Sequence, residues 1–143
     1  MMIGLLIITH RQLAKELLGA AEFIVGPVEV VECISIDTSK DSKKLRDLIA
    51  KKIESLNQGA GVLVLTDMFG GTPSNLALSF LRKDTVEVVT GINLPMVIAV
   101  AHNRQGHSLA EIADTAKTAG RRSISLASEL LTPKENKEVP KVS

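Results

Sequence analysis

The chain reads as an α/β protein: a single three-layer domain with a central, mostly parallel sheet of order 2-1-3-4 and helices on both faces. Three observations predict this. Short apolar runs alternate along the chain with segments of helical periodicity, the pattern of successive strand–helix units. Two of the runs, "MIGLLIIT" and "GVLVLTD", are apolar without alternation, as strands covered on both faces are, so they take the centre of the sheet. At 143 residues the chain has the size of one domain with one core, and no internal repeat or linker interrupts it.

Each element follows from its residues. Met2 to Thr9 is the first strand. "RQLAKELLGAAEFIVG" then places Leu13, Leu17, Ala20, Ala21 and Ile24 at helical spacing, with Gly26-Pro27 as the stop. Val28 to Ile36 alternates more, with Glu29 and Glu32 interrupting it, as an outer strand would. Thr38 to Ser42 offers several N-caps to a second helix, which carries Leu45, Leu48, Ile49, Ile53 and Leu56 on one stripe. Gly61 to Asp67 is the third strand. After the "MFGG" turn, Thr72 reads as an N-cap and Pro73 as the first helical residue of a short helix running to about Leu81. Thr85 to Ile92 is the fourth strand, and "NLPMVIAVAHN" is a helix opened near Pro95. Ser108 to Glu111 fits a capping box, and Gly120 sits where that helix would stop. "RRSISLASEL" sets Ile124 and Leu126 between serines, a weak final strand. Residues 132–143 are Lys/Glu/Pro-rich and read as a flexible polar tail beyond a domain spanning 1–131.

Composition narrows the function classes. A net charge of +1 gives no electrostatic reason to expect nucleic acid or an anionic membrane as partner. With 2% aromatic residues and no Trp or Tyr, stacking platforms for bases or sugar rings are nearly absent. Cys33 is the single cysteine, which leaves no intrachain disulfide or cysteine metal cluster, and it reads as a small core residue suited to a reducing cytosol. The apolar start lacks a basic leader region and is too short to span a bilayer. A soluble cytoplasmic protein without direct membrane insertion is expected.

The predicted strand order puts a topological switch point between the first and third strands, where open α/β sheets bind ligands beyond the carboxyl ends. Two segments end there: Thr9-His10-Arg11, and "TDMFGGTPSN" from Thr66 to Asn75. A lone histidine at a strand end is ordinarily solvated, an aspartate there is ordinarily a turn residue, and "GGTP" alone is an ordinary turn. Together they suit a specific chemistry. A carboxylate at position 67 that accepts Nδ1–H would fix the tautomer of His10 and leave its Nε2 lone pair free to attack. Gly70 and Gly71 let successive backbone N–H groups form an anion-binding concavity, and Thr72 adds a hydroxyl and a helix start. A nucleophilic imidazole beside a phosphate cradle points to phosphoryl transfer through a phosphohistidine, a reaction governed by positioning and charge stabilisation.

"IITHR", "LTDMFGGTPSN" and "TGINLPM", in this order and spacing, resemble the mannose-type IIA domain of the bacterial phosphoenolpyruvate-dependent sugar phosphotransferase system, over Met1 to about Leu131. The related dihydroxyacetone-kinase phosphotransfer domain also begins with a strand ending in His but lacks the Gly-Gly-Thr-Pro pattern. The resemblance implies that His10 is phosphorylated on Nε2 by HPr and hands the group to a IIB protein. It implies that Asp67 orients the imidazole, and that Gly70, Gly71 and Thr72 bind the phosphate. It also implies a homodimer that exchanges a C-terminal strand, which would account for "RRSISLASEL". No metal and no cofactor is expected, because the donor is already a phosphohistidine. The chain ends without a linker to IIB, so a separate acceptor is expected, through which the protein associates with a membrane permease complex. Phe69 stands where some family members carry Trp.

Two other classes compete. A regulator whose phosphorylation state changes what it binds would use the same residues. A flavodoxin-like module for a small anion would leave His10 incidental, but the chain has neither a P-loop nor a dinucleotide signature. His102 and His107, five apart in "AHNRQGH", read as a solvated loop rather than a zinc site. Arg11 is a candidate for steering an anionic donor or acidic partner.

Overall fold

β-Branched and leucine side chains without polar interruption form strand β1, Gly4–His10, whose residues from Gly4 to Thr9 are buried. The computed structural model describes residues 1–37, 41–68 and 70–132. Phe69, the residues before Asp41 that were candidate caps, and the tail from 133 onward lie outside the described residues. Strand β2, Val31–Ile36, pairs with one side of β1, and β3, Val62–Thr66, with the other. Strand β4, Val86–Thr90, pairs with β3 and forms the edge. All pairs are parallel and the order is β2-β1-β3-β4, as the apolar density of the first and third strands predicts.

Alternate residues of β1 and β3 feed two separate layers of core. Leu5, Ile7, Leu63 and Leu65, with Ile3 just before β1, face helices α1 (Leu13–Val25), α4 (Leu94–Asn103) and α5 (Leu109–Arg122). Leu6, Ile8, Val62 and Val64 face α2 (Ser42–Leu56) and α3 (Thr72–Leu78). Leu45, Ile49, Ile53 and Leu56 of the expected α2 stripe are buried there, and Asp41 caps the helix by accepting the Lys43 N–H at 3.1 Å. At α5 the capping box forms in full, Ser108 and Glu111 each accepting the other's main-chain N–H.

Four details differ from expectation, each for a local reason. The buried face of α1 is Ala14 and Ala21 with Leu18 packed beside them, while Leu13 and Ile24 are exposed; small residues let the helix lie close to the sheet. At α3 the cap is Gly71, so Thr72 is the first helical residue, Pro73 the second, and the Thr72 hydroxyl makes no capping bond. Gly120 does not end α5 but lies buried inside it, because a Cβ there would come within 2.7 Å of Met96 Cε on α4. The fourth concerns residues 121–130, which contribute no strand to this sheet. Arg121 and Arg122 extend α5, where cations complement the helix C-terminus, and Ala127–Leu131 forms a short exposed helix, α6. Ile124 and Leu126 alternate too briefly to hold a strand without a paired neighbour.

Arg104, expected in a solvated loop, is 3% exposed. It follows α4 and donates from Nη1 to the carbonyls of Ile3 and Val30 at 3.0 and 2.9 Å, and from Nη2 to that of Glu29. It thereby fastens α4 to the amino end of β1 and to the turn before β2, where Val30 sits at φ 52°, a left-handed conformation unusual for a β-branched residue. Cys33 on β2 packs against the α1 side, and burial, followed by the nearby Glu32 charge, pushes its thiol up to about 11. No helix among the described residues is long and apolar enough to cross a membrane.

Candidate active site

The register of the two central strands sets the site. Ile8 pairs with Thr66, so His10 on β1 and Asp67 just past β3 emerge at adjacent points on the carboxyl edge. The Arg11 N–H donates to the Ile36 carbonyl at 2.9 Å, which continues the β1–β2 ladder to the end of the strand. Arg11 itself turns the chain at φ 51°, and its side chain is exposed. Thr9, fully buried, then accepts the Ala14 N–H at 2.8 Å and caps α1, a helix whose Gln12 makes no side-chain cap. The turn that carries the histidine is therefore fastened on both sides.

Asp67 Oδ2 lies 2.8 Å from His10 Nδ1 and also accepts the His10 main-chain N–H at 2.9 Å, while Oδ1 accepts the Met68 N–H at 3.0 Å. One carboxylate oxygen thus holds a residue by its backbone and its ring together. The side chain of Asp67 is 13% exposed and that of His10 46%, so the acid is sheltered and the ring reaches solvent. Burial alone would raise the Asp67 pKa. The bonds from the His10 backbone and ring, then the His10 charge and the Met68 amide, outweigh it and hold the carboxyl below its ordinary value. An ionised Asp67 accepts only, so in the neutral imidazole Nδ1 is the protonated nitrogen and Nε2 is the one with the lone pair.

The glycine-rich turn closes on that ring. A Cβ on Gly71 would lie 3.1 Å from His10 Cε1 and 3.7 Å from Nε2, so the turn touches the edge of the imidazole that carries Nε2. Gly70, at φ 88°, supplies the left-handed step leading to Gly71. Its N–H is not open to a ligand, for it donates to Ser74 Oγ at 2.9 Å. Ser74 is fully buried, and its hydroxyl donates in turn to the Gly71 carbonyl at 3.1 Å. Thr72 is exposed at the start of α3. The structure therefore brings together His10, Asp67 and Gly71, and sets Gly70 and Thr72 on either side of Gly71. Thr9 and Ser74, which fasten the two loops, were missed from sequence because a hydroxyl that bonds backbone four or five residues away leaves no periodic signal. His102 and His107 stay exposed and apart from this site, His107 lying 3.8 Å from Glu111. No group of three or more metal-ligating side chains occurs among the described residues.

A parallel sheet covered on both faces, with a carboxylate-held histidine and a glycine turn at its switch point, defines a class of α/β protein built around one imidazole. The comparisons name the family. Residues 4–117 match the model EIIA-man, described as the PTS system fructose IIA component, and the chain belongs to this family of IIA components of the sugar phosphotransferase system. It is 32% identical over 109 residues to a PTS system sorbose-specific EIIA component of Lacticaseibacillus casei, covering 76% of this chain and 78% of that one. It is 31% identical over 126 residues to the PTS system mannose-specific EIIAB component of Escherichia coli K12, covering 87% of this chain but only 39% of that longer protein. Among solved structures, the EIIA component from Streptococcus agalactiae superposes with a TM-score of 0.79 at 28% identity, covering 89% of this chain and 98% of that one.

Proposed function

We propose that this protein is a phosphocarrier that accepts a phosphoryl group from phospho-HPr on His10 Nε2 and passes it to a separate IIB protein. The observation that carries the reading is the double grip of Asp67 Oδ2 on the His10 backbone and ring, beside the close approach of Gly71. In the accepting step Nε2 attacks the donor phosphorus; a new N–P bond forms as the donor's N–P bond breaks. The donor ring, protonated beforehand, leaves as neutral imidazole, while the His10 ring keeps its Nδ1 proton on Asp67 and becomes a cation. No net proton is lost, and the charge that develops on the acceptor ring faces a carboxylate. The Gly71 N–H and the Thr72 N–H and hydroxyl, which bond no acceptor among the described residues, would receive the phosphate oxygens. The donation to IIB is the same displacement in reverse.

The same reading makes the protein a cytoplasmic homodimer in which residues 121–130 cross to the partner's sheet. Two features support it. β4 forms an outer edge of the sheet, beside a groove lined by Val89, Thr90, Met96, Lys117 and Ile124. Ile124, Leu126, Leu130 and Leu131 are each more than half exposed in the single chain. Sedimentation at micromolar concentration should return a dimer, and a monomer would remove the exchanged strand.

For the phosphoryl relay, phosphoenolpyruvate with enzyme I and HPr should label the protein with an acid-labile, base-stable phosphate, and EDTA should not inhibit the step from phospho-HPr to the protein. His10→Ala should abolish the label. Full labelling of that variant would reject the assignment.

A further inference from the structure

We propose that Ser74 is a positioning residue for phosphoryl transfer at His10, its buried hydroxyl pinning the Gly70–Gly71 turn against the imidazole. The inference rests on the reading of His10 as the phosphoryl acceptor. Ser74 is the third helical residue of α3, the position from which a capping-box side chain ordinarily reaches back to the N–H of the cap residue. Here the cap is Gly71, yet Ser74 Oγ takes the N–H of Gly70, one residue earlier. The consequence is selective. The Gly70 amide is consumed, and the Gly71 amide is left without an acceptor among the described residues, on the residue whose Cα side touches His10 Cε1.

The hydroxyl acts in both directions, because it also donates to the Gly71 carbonyl, which accepts the Asn75 N–H at 2.9 Å as well. Gly71 has no side chain to hold it, and no side chain caps α3. Its position against the ring therefore depends on these two bonds to its carbonyl and on the tethers at Gly70, where the Ser74 hydroxyl accepts the N–H at 2.9 Å and the Asn75 amide donates to the carbonyl at a longer 3.5 Å. Ser74 is 0% exposed, so it cannot meet a protein donor and can act only through the turn. Loosening the turn leaves encounter with the donor intact and spoils the alignment in which Nε2 and the Gly71 amide act on the same phosphoryl group.

The test compares wild type, Ser74→Ala and Ile49→Val in rapid-quench transfer from phospho-HPr. Ile49 is buried on the core face of α2, a helix that contributes no residue to the turn, so its variant controls for lost stability without altering a residue of the site. Ser74→Ala should keep KM within about twofold and lose roughly tenfold to a hundredfold in kcat, the scale of a misplacement of up to about 1 Å. Ser74→Cys, which fills nearly the same volume with a weak donor and acceptor, should show the same one-sided loss. Hydrogen exchange at the Gly70 amide should accelerate in both Ser74 variants, and Ile49→Val should leave both kinetic constants and that amide unchanged. Wild-type kcat in Ser74→Ala, a loss confined to KM, or an equal loss in Ile49→Val would overturn the proposal. If wild type itself accepts no phosphate, the reading of His10 fails and this inference with it. If wild type is labelled and Ser74→Ala is as fast, only the role of Ser74 fails.

Discussion

Replacing Asp67 by Asn isolates the charge from the shape. In the native site the carboxylate accepts three hydrogen bonds, two from His10 on Oδ2 and one from Met68 on Oδ1. An amide of the same outline can keep its oxygen toward His10 and preserve the Nδ1–H tautomer, but its NH2 then faces the Met68 N–H and that bond is lost. The reverse orientation sets NH2 against both the His10 N–H and the ring, so the first is preferred. What the first orientation lacks is the negative charge facing an imidazole that, under the proposed transfer, becomes a cation. Opposite charges about 4 Å apart at an effective dielectric of about 20 interact by about 4 kcal/mol. A retained amide dipole recovers part of this, leaving a loss of about 2–3 kcal/mol in the transition state. That converts to a rate lower by roughly 30- to 160-fold. Rapid-quench transfer from phospho-HPr measures it directly, and an Asp67→Asn protein within threefold of wild type would refute the reasoning. Stability supplies an independent check. Because the folded carboxyl lies below its ordinary value of 3.8, its contribution is present above that pH and fades as pH falls through the lower folded value. Urea curves of wild type and variant should therefore differ near neutrality and converge in acid.

Two further predictions follow from close contacts elsewhere. Gly71→Ala should fold normally, since φ −85° suits any residue, but its methyl would press within 3.1 Å of His10 Cε1 and 3.3 Å of Met68 Cγ. We expect transfer about tenfold slower and a shifted His10 ring nitrogen resonance; an unmoved ring and rate would show that the turn does not govern the imidazole. Arg104→Ala should cost about 3–5 kcal/mol in urea unfolding, because three carbonyls lose a charged donor. The folded fraction should still transfer phosphate, as Arg104 sits at the sheet end opposite His10; a loss under 1 kcal/mol would contradict its role as a clamp.

Sequence was most informative where burial alone decides the outcome. The unbroken apolar runs of β1 and β3 fixed the strand order, and the order placed His10 opposite Asp67. The α2 stripe was equally legible because an exposed basic face contrasts with it. On α1 the contrast is weak, since Leu and Ala recur on several faces, and the buried side turned out to be the alanines. Arg104 was unreadable because its partners are main-chain carbonyls from positions 3, 29 and 30, which carry no sequence signature. Ser74 was hidden for a related reason: a serine beside a glycine turn is a common solvated residue, whereas here it is buried with both hydroxyl roles used. Residues 121–130 carry alternating Ile and Leu but also helix formers, and Arg121, Arg122 and Ala127 to Leu130 are helical in the structure.

The pairing of Ile8 with Thr66 has one further effect. Strand side chains alternate between faces, so sliding β1 by a single position against β3 would carry the imidazole to the far side of the sheet from its acid. Such a misfolded molecule would hold a solvent-facing ring with no fixed tautomer, unable to compete for a donor. If the proposed function holds, phosphate uptake should therefore be all-or-none across a refolding population, a count of correctly registered sheets rather than a graded measure of how nearly each has formed.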